Sequence, residues 1–485
     1  MFLPTRWART RYARAATVIA STAVATVLLT ATAAHANVAL TRVSTDPYTD
    51  TQAQHRTEVE PDTFSFGSTI VSAFQVGRVF GGGSSNIGFA TSTDGGAIWT
   101  RGFLPGITAN AGGPYGRASD PSVAFDARHN VWLISSLGLG TSSTDVLTSR
   151  STDGGRTWSR PVTTATGSLD KNWIVCDNTA TSPFYGTCYT QYDQTSAGNA
   201  IRMRRSTNGG ASWGAALSPG GGASGLGGQP VVRPNGTVIV PYLASSGQIR
   251  SFRSIDGGVS WRATVLVSGV SHHNAAGGLR EDPLPTAEVD AAGTVYVAWS
   301  DCRFRAGCPA NDIVVAKSTS ETTWAAPIRV PIDATTSTVD HLVPGIGVDP
   351  GSSGAGARVG LTYYFYPTAN CTSTTCRLSV GFISSTNGGT SWSTPTQVAG
   401  PMTLSWLPNT SQGRMFGDYI STSVRRGGNA YPVLPVANAP TGSTFDVAMY
   451  APTGGLAVTG GAVRSAATPV TAVVATPRAT AATRQ

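Results

Sequence analysis

The stretch Ser151-Thr152-Asp153-Gly154-Gly155-Arg156-Thr157-Trp158 returns four more times along the chain. Ser92 to Trp99 reads STDGGAIW, Ser206 to Trp213 STNGGASW, Ser254 to Trp261 SIDGGVSW and Ser385 to Trp392 STNGGTSW. A damaged copy at Ser318 to Trp324 lacks the glycines and is one residue shorter. The pattern S-x-D/N-G-G-x-x-W has a local physical logic. The hydroxyl and the Asp or Asn side chain can accept from nearby backbone N–H groups and hold a turn. Two glycines supply the positive φ of a tight connection. The Trp buries a large ring and seeks an acceptor for its N–H. Each copy is read as a structural staple, and none of its Asp residues is assigned to catalysis.

Around these turns the chain reads as strands. Ser122–Phe125, Val131–Ser135, Asp145–Ser149 and Pro161–Thr164 form one four-strand unit, with the turn motif between its third and fourth strands. Similar units start near Thr69, Asn172, Pro230, Ala287 and Gly345, and a last one without the motif spans Asp418 to Tyr450. Motif starts lie 48 to 67 residues apart, longer than the roughly 40–50 of short repeats, so the surplus is placed in loops at one rim.

The template is that of the Asp-box, or bacterial neuraminidase, repeat, and the chain resembles secreted sialidase-like β-propellers of bacterial type. The resemblance implies an all-β fold of four-stranded blades with Asp-box hairpins between strands 3 and 4. Seven blades are expected, closed by a strand from Val38–Val43, with six as the alternative. Residues 37–452 are read as the propeller and 453–485 as a flexible low-complexity tail.

Composition sets further bounds. Only 12% of residues are charged against 57 glycines, a balance suited to strands and turns. The formal charge of +8 misleads, because Arg6, Arg9, Arg11, Arg14, Arg464, Arg478 and Arg484 lie in the leader or tail. Without them the body is nearly neutral, which argues against a nucleic-acid partner. Residues 1–36 read as a signal peptide: arginines, an apolar run from Ala15 to Leu29, and Ala34-His35-Ala36 as the cleavage site. A secreted protein, free of the membrane after cleavage and monomeric, is expected. The six cysteines form close pairs, Cys176/Cys188, Cys302/Cys308 and Cys371/Cys376, for which three local disulfides are the simplest pairing. Zinc is the rival reading, weakened by the lack of any C-x-x-C. No cofactor is required, and a structural Ca²⁺ stays open.

Chemistry is sought at the channel mouth, where the first strands of the units converge. Candidates there are Glu58, Glu60, Asp62, Arg78, Arg117, Asp120, Asp170, Lys171, Trp173, His273, Arg280, Glu281, Asp282, Asp301, Arg303, Asp340, His341, Tyr363, Tyr364, Tyr366, Arg414, Asp418 and Tyr419. Asp120-Pro121 and Asp282-Pro283 read equally well as turn starters. The sialidase resemblance implies an arginine triad for a substrate carboxylate, a Tyr nucleophile served by a Glu, and an Asp acid/base. Carried onto this chain it makes Asp120, Glu281 and Tyr419 catalytic. It also makes Arg117, Arg303 and Arg414 substrate-binding, and Arg280, Glu60, Asp301, His273 and Tyr364 are added to them from their expected place at the channel mouth. The family's Arg-Ile-Pro motif is absent, which leaves the first arginine of the triad without a counterpart. Three functions are weighed: an exo-sialidase-like glycan hydrolase first, then a non-catalytic glycan- or surface-binding propeller, then a uronate lyase using His273, His341 and Tyr364.

Overall fold

The computed structural model describes residues 1–3, 38–464 and 467–471. The expected signal peptide lies almost wholly outside them. The described chain is all-β, with only short 3-10 turns between strands. No helix among the described residues is long and apolar enough to cross a membrane.

Antiparallel groups follow one another along the chain. Ala53–Phe66 pairs with Thr69–Val79, then Ser84–Ser92, then Thr100–Phe103. Arg117–Asp126 leads a second such run ending at Val162–Ala165. Further groups are led by Leu169–Cys176, Val231–Val232, Thr286–Val289, Asp340–Val348 and Ser421–Val424. The leading strands pack side by side in chain order, and Ser421–Val424 returns to Ala53–Phe66. Leu40–Arg42 pairs with Thr444–Pro452, so the N-terminal segment completes the last group. This covers an edge that would otherwise invite another chain.

The repeated turns behave as their chemistry demands. Ser151 Oγ accepts from Gly155 N at 2.9 Å and donates to Asp153 Oδ1 at 2.8 Å. Asp153 Oδ1 accepts from the amides of Arg156 and Thr157, each at 3.0 Å. Trp158 Nε1 donates to Gly155 O at 3.1 Å. The Ser92 and Ser254 copies repeat the serine and carboxylate contacts. In the Ser206 and Ser385 copies Asn replaces Asp as acceptor. The damaged copy survives by substitution: Ser318 Oγ donates to backbone carbonyls, and Trp324 Nε1 donates to Ser251 Oγ at 3.1 Å.

The turns also join neighbouring groups, which the repeat alone did not reveal. Gly155 has φ 79°, and a Cβ there would lie 2.8 Å from Val71 Cγ2 of the preceding group. Its carbonyl accepts from Thr91 Oγ1 at 2.7 Å. Gly210 packs in the same way on Leu133, Gly258 on Tyr189, and Gly96 on Tyr431 of the last group. Each of these turns therefore clamps its own group to the one before it, and the Gly96 contact closes the ring.

Three disulfides, Cys176–Cys188, Cys302–Cys308 and Cys371–Cys376, match the expected local pairing. The segment after Pro452, read above as tail, begins against the sheets. Leu456 bridges to Ala430, and Val463 bridges to Trp392. The amides of Val470 and Thr471 donate to Arg303 O.

Trp158 is buried in the core between the first two groups, whereas Trp99 is half-buried. Trp158→Ala should cost about 3–5 kcal/mol, the usual price of emptying an aromatic core position. Trp99→Ala should cost clearly less. Denaturant unfolding of both variants checks the ranking.

Candidate functional site

Several leading strands carry an irregularity at the same level. Pairing slips between Val59 and Asp62, Ser119 and Ser122, Asp170 and Trp173, and Leu342 and Gly345. At each slip a non-glycine residue takes positive φ: Glu60 at 58°, Asp120 at 46°, Lys171 at 49° and Val343 at 41°. Three of the four precede proline, which has no N–H to give to the ladder. These are β-bulges, and bulges re-aim side chains. Asp120-Pro121 is thus not a turn starter, since it lies inside the strand Arg117–Asp126.

The bulges converge three charged side chains on one point. Lys171 Nζ lies 3.0 Å from Asp120 Oδ2, 2.8 Å from Asp418 Oδ2 and 3.6 Å from Glu60 Oε1. Asp418 also takes both arms of Arg280, with Nε to Oδ1 at 2.7 Å. Gln75 Nε2 donates to Glu60 Oε2 and, at 3.1 Å, to Ser119 Oγ. Ser119 Oγ donates to Asp120 Oδ1 at 2.6 Å. Arg78 Nη1 holds Gln75 Oε1 at 2.8 Å from behind. Lys171, Glu60, Asp120 and Asp418 are all buried.

The carboxyls differ in state. Burial pushes Glu60 up to about 7, with Lys171 opposing. Burial acts in the same direction on Asp120, but Lys171 and Ser119 outweigh it and hold Asp120 below its ordinary value. Lys171 is held well above its ordinary value because Asp120, Asp418 and Glu60 overcome its burial. Burial, followed by the charge of Arg280, lowers Arg78 to about 10.

The other candidates divide. Tyr419 joins the cluster, its ring edge-on to Trp173 at 4.9 Å, and its hydroxyl donates to Pro121 O at 2.9 Å. Burial, then Glu60 and Asp120, raise this phenol far above its ordinary value. A tyrosine nucleophile needs the opposite, so the nucleophilic role assigned to Tyr419 is not supported by its surroundings. Glu281 sits beside the cluster in sequence but pairs with His272 Nε2 at 3.0 Å and accepts from Ser300 Oγ at 3.0 Å. His273 Nδ1 pairs with Asp340 Oδ2 at 3.1 Å. Arg414 and Arg117 are half-buried and donate to the carbonyls of Leu407 and Gly82.

Four expectations are corrected. Arg303 spends its guanidinium on Asp301, Ser268 and Gly269. Asp301 also accepts from Trp299 Nε1 at 3.0 Å, so this buried pair is structural. Tyr364 is fully buried, stacks on Phe416 at 3.8 Å and donates to Pro435 O at 2.6 Å. Its place is the core, and His341 is likewise buried. Gln75, Ser119 and His272 were not anticipated, since nothing in their local sequence separates them from ordinary strand or loop residues.

No family model matches the chain, and no curated protein matches it. Solved structures do. An ulvan lyase of polysaccharide lyase family PL25 superposes with TM-score 0.51 at 10% identity, over 87% of this chain and 97% of that one. A protein of unknown function from Dyadobacter fermentans gives TM-score 0.45 at 16% identity, over 71% of this chain and 98% of that one. The NanB sialidase of Streptococcus pneumoniae gives TM-score 0.41 at 13% identity, over 84% of this chain and 69% of that one. The likeness to the lyase is one of fold.

Two outcomes follow from the buried charges. Lys171→Met leaves three buried carboxyls without their common cation and should cost about 3–5 kcal/mol of stability, read by denaturant unfolding. The second concerns pH. Glu58, buried beside Ser44, is raised by that burial from 4.5 to about 8. Its folded form keeps a proton that the unfolded chain gives up above 4.5, so its contribution is complete below 4.5 and is lost as pH rises to about 8. The Tm should fall between pH 5 and pH 8, and Glu58→Gln should flatten part of that fall.

Proposed function

We propose that the protein is a secreted glycan-active hydrolase on a seven-bladed Asp-box propeller, removing terminal acidic sugars at the channel mouth beside Lys171. The observation that carries this reading is the divergence of two carboxyls around one ammonium. Glu60 is pushed up to about 7 while Asp120 is held low. Carboxyls whose environments drive them apart supply the acid and the ionised partner that glycoside cleavage needs. Glu60 is assigned the acid/base role and Asp120 that of the ionised carboxylate. Lys171 holds Asp120 charged, and Gln75 and Ser119 fix the carboxyl orientations.

The cations above the cluster suit an acidic sugar. Arg280 presents a planar fork, currently matched to Asp418, and guanidinium forks match carboxylates in two-point fashion. Arg117 and Arg414 lie nearer solvent. Glu281 with His272 is placed as a second, supporting pair. The seven blades are read from the order of leading strands, with Leu40–Arg42 completing the last. Secretion is read from the leader and the three disulfides, and a monomer from the closed ring.

The test is turnover of fluorogenic sialosides and other acidic glycosides by the wild type, Glu60→Gln, Asp120→Asn and Tyr419→Phe. Glu60→Gln should lower kcat by about 10²–10⁴-fold, as expected for loss of a general acid. Wild-type kcat should fall as pH rises through about 7, where Glu60 loses its proton. Tyr419→Phe should change kcat by less than about tenfold, since a phenol raised in pKa is no nucleophile. Intact protein that binds acidic glycans without turnover would replace hydrolysis with binding alone. A rise in ultraviolet absorbance on uronate polymers would replace it with lyase chemistry.

A further inference from the structure

The channel has a second end. Beyond Trp173, Gln229 and Thr286 the later halves of the leading strands enclose a cavity of about 560 Å³. The same three residues also line a small void of about 10 Å³ next to Lys171, Asp418 and Tyr419. Trp173, Gln229 and Thr286 thus lie where the two spaces meet. The larger cavity is within the size range of sites for small molecules.

Its electrostatics are lopsided. The charged residues on its walls are Asp62, Glu288, Asp290 and Arg426. Asp290 is committed to the backbone, accepting from the amides of Ala292, Thr294 and Gly354. Arg426 is exposed at the rim. Asp62 Oδ2 accepts from Val123 N at 2.7 Å. Glu288 has the Val289 amide beside it and no ion pair among the described residues. Glu288 lies on the opposite face of its strand from Ala287 and Val289, which pack in the core, and it lines the cavity. The charge of Asp62 reaches Glu288. Burial pushes Asp62 up to about 7, and burial followed by the charge of Asp62 pushes Glu288 up to about 8. Two carboxyls thus face one cavity with no cation from the protein between them.

We propose that this end of the channel binds a small organic cation, a primary ammonium on a sugar-sized body, with the ammonium between Asp62 and Glu288 and the body against Trp173. The hydroxyls of Thr63, Thr286 and Ser423 offer the body polar partners. A divalent metal suits the site poorly, because six or more oxygens are wanted and much of the wall is aliphatic. This site is separate from the Lys171 cluster and does not rest on its proposed chemistry.

Isothermal titration of the protein with glucosamine, N-acetylglucosamine and glucose tests the assignment. Glucosamine should bind saturably and at least about tenfold more tightly than the two neutral sugars, because only it carries the charge that pairs with the carboxyls. Glu288→Gln, which keeps the size of the side chain, should weaken glucosamine by about tenfold or more. Glu60→Gln, at a residue that does not line this cavity, should leave it unchanged. Binding at pH 7 should also release protons, because an ammonium favours the ionised form of carboxyls that otherwise hold protons near that pH. Runs in buffers of different ionisation enthalpy read this release and remain informative if a variant folds poorly. Equal affinity for the three sugars, no saturable binding, unchanged affinity in Glu288→Gln, loss in Glu60→Gln or the absence of proton release would each overturn the proposal.

Discussion

The Lys171 ammonium is the constraint around which the middle of the ring is arranged. It is buried and must be compensated, and the three carboxyls that compensate it come from different sheet groups. Glu60 is delivered by Ala53–Phe66, Asp120 by Arg117–Asp126, and Asp418 from the approach to Ser421–Val424. A buried ion network of this kind is weak evidence for net stability, because desolvation offsets much of the attraction. It does fix register. If any of these strands slipped by one residue, its charged side chain would turn to the opposite face and leave a buried ion unpaired. The cluster therefore couples the geometry of a candidate site to the assembly of the ring.

The repeated S-x-D/N-G-G-x-x-W turns solve a different problem. A group of antiparallel strands can form its own hydrogen bonds, but nothing in that pairing says how it sits on its neighbour. The glycine pair lets the backbone approach the preceding group within side-chain contact, and the conserved shape of the turn makes each approach alike. Loss of the glycines in the Ser318 copy is consistent with this view. There Trp324 reaches back to Ser251 of the preceding group with its own N–H, so the link between groups is kept by another contact.

Much of the fold was legible because its signals are local. The turn template, the alternation of strand residues and the short cysteine spacings are each set within about a dozen residues. The candidate site was legible in part. The composition narrowed the charged residues to a short roll, and Glu60, Asp120, Arg280 and Tyr419 from it do meet. What the sequence did not disclose was which of the others join them. Lys171 and Asp418 carry no local mark, and Arg303 and Tyr364 look as available as Arg280 and Tyr419 until packing assigns them to Asp301 and Phe416. The bulges were half visible: Glu60-Pro61, Asp120-Pro121 and Val343-Pro344 share an X-Pro step. Lys171-Asn172 reaches the same conformation without proline, so the pattern was broken at the residue that matters most.

The two ends of the channel handle buried carboxyls in opposite ways, and this difference gives the molecule its direction. At the Lys171 end each carboxyl has a cation or an amide donor from the protein itself. Charge can persist there, and a proton can reside on one carboxyl while its neighbour stays ionised. At the far end Asp62 and Glu288 have backbone amides and hydroxyls but no cation, so burial drives both towards the neutral form. The first arrangement is preorganised, in that the groups that stabilise charge are already in place. The second is incomplete, in that ionisation there becomes favourable only when a positive charge arrives. One ring of strands can support both because the leading strands pass from one space to the other, and Trp173, Gln229 and Thr286 lie where the two meet.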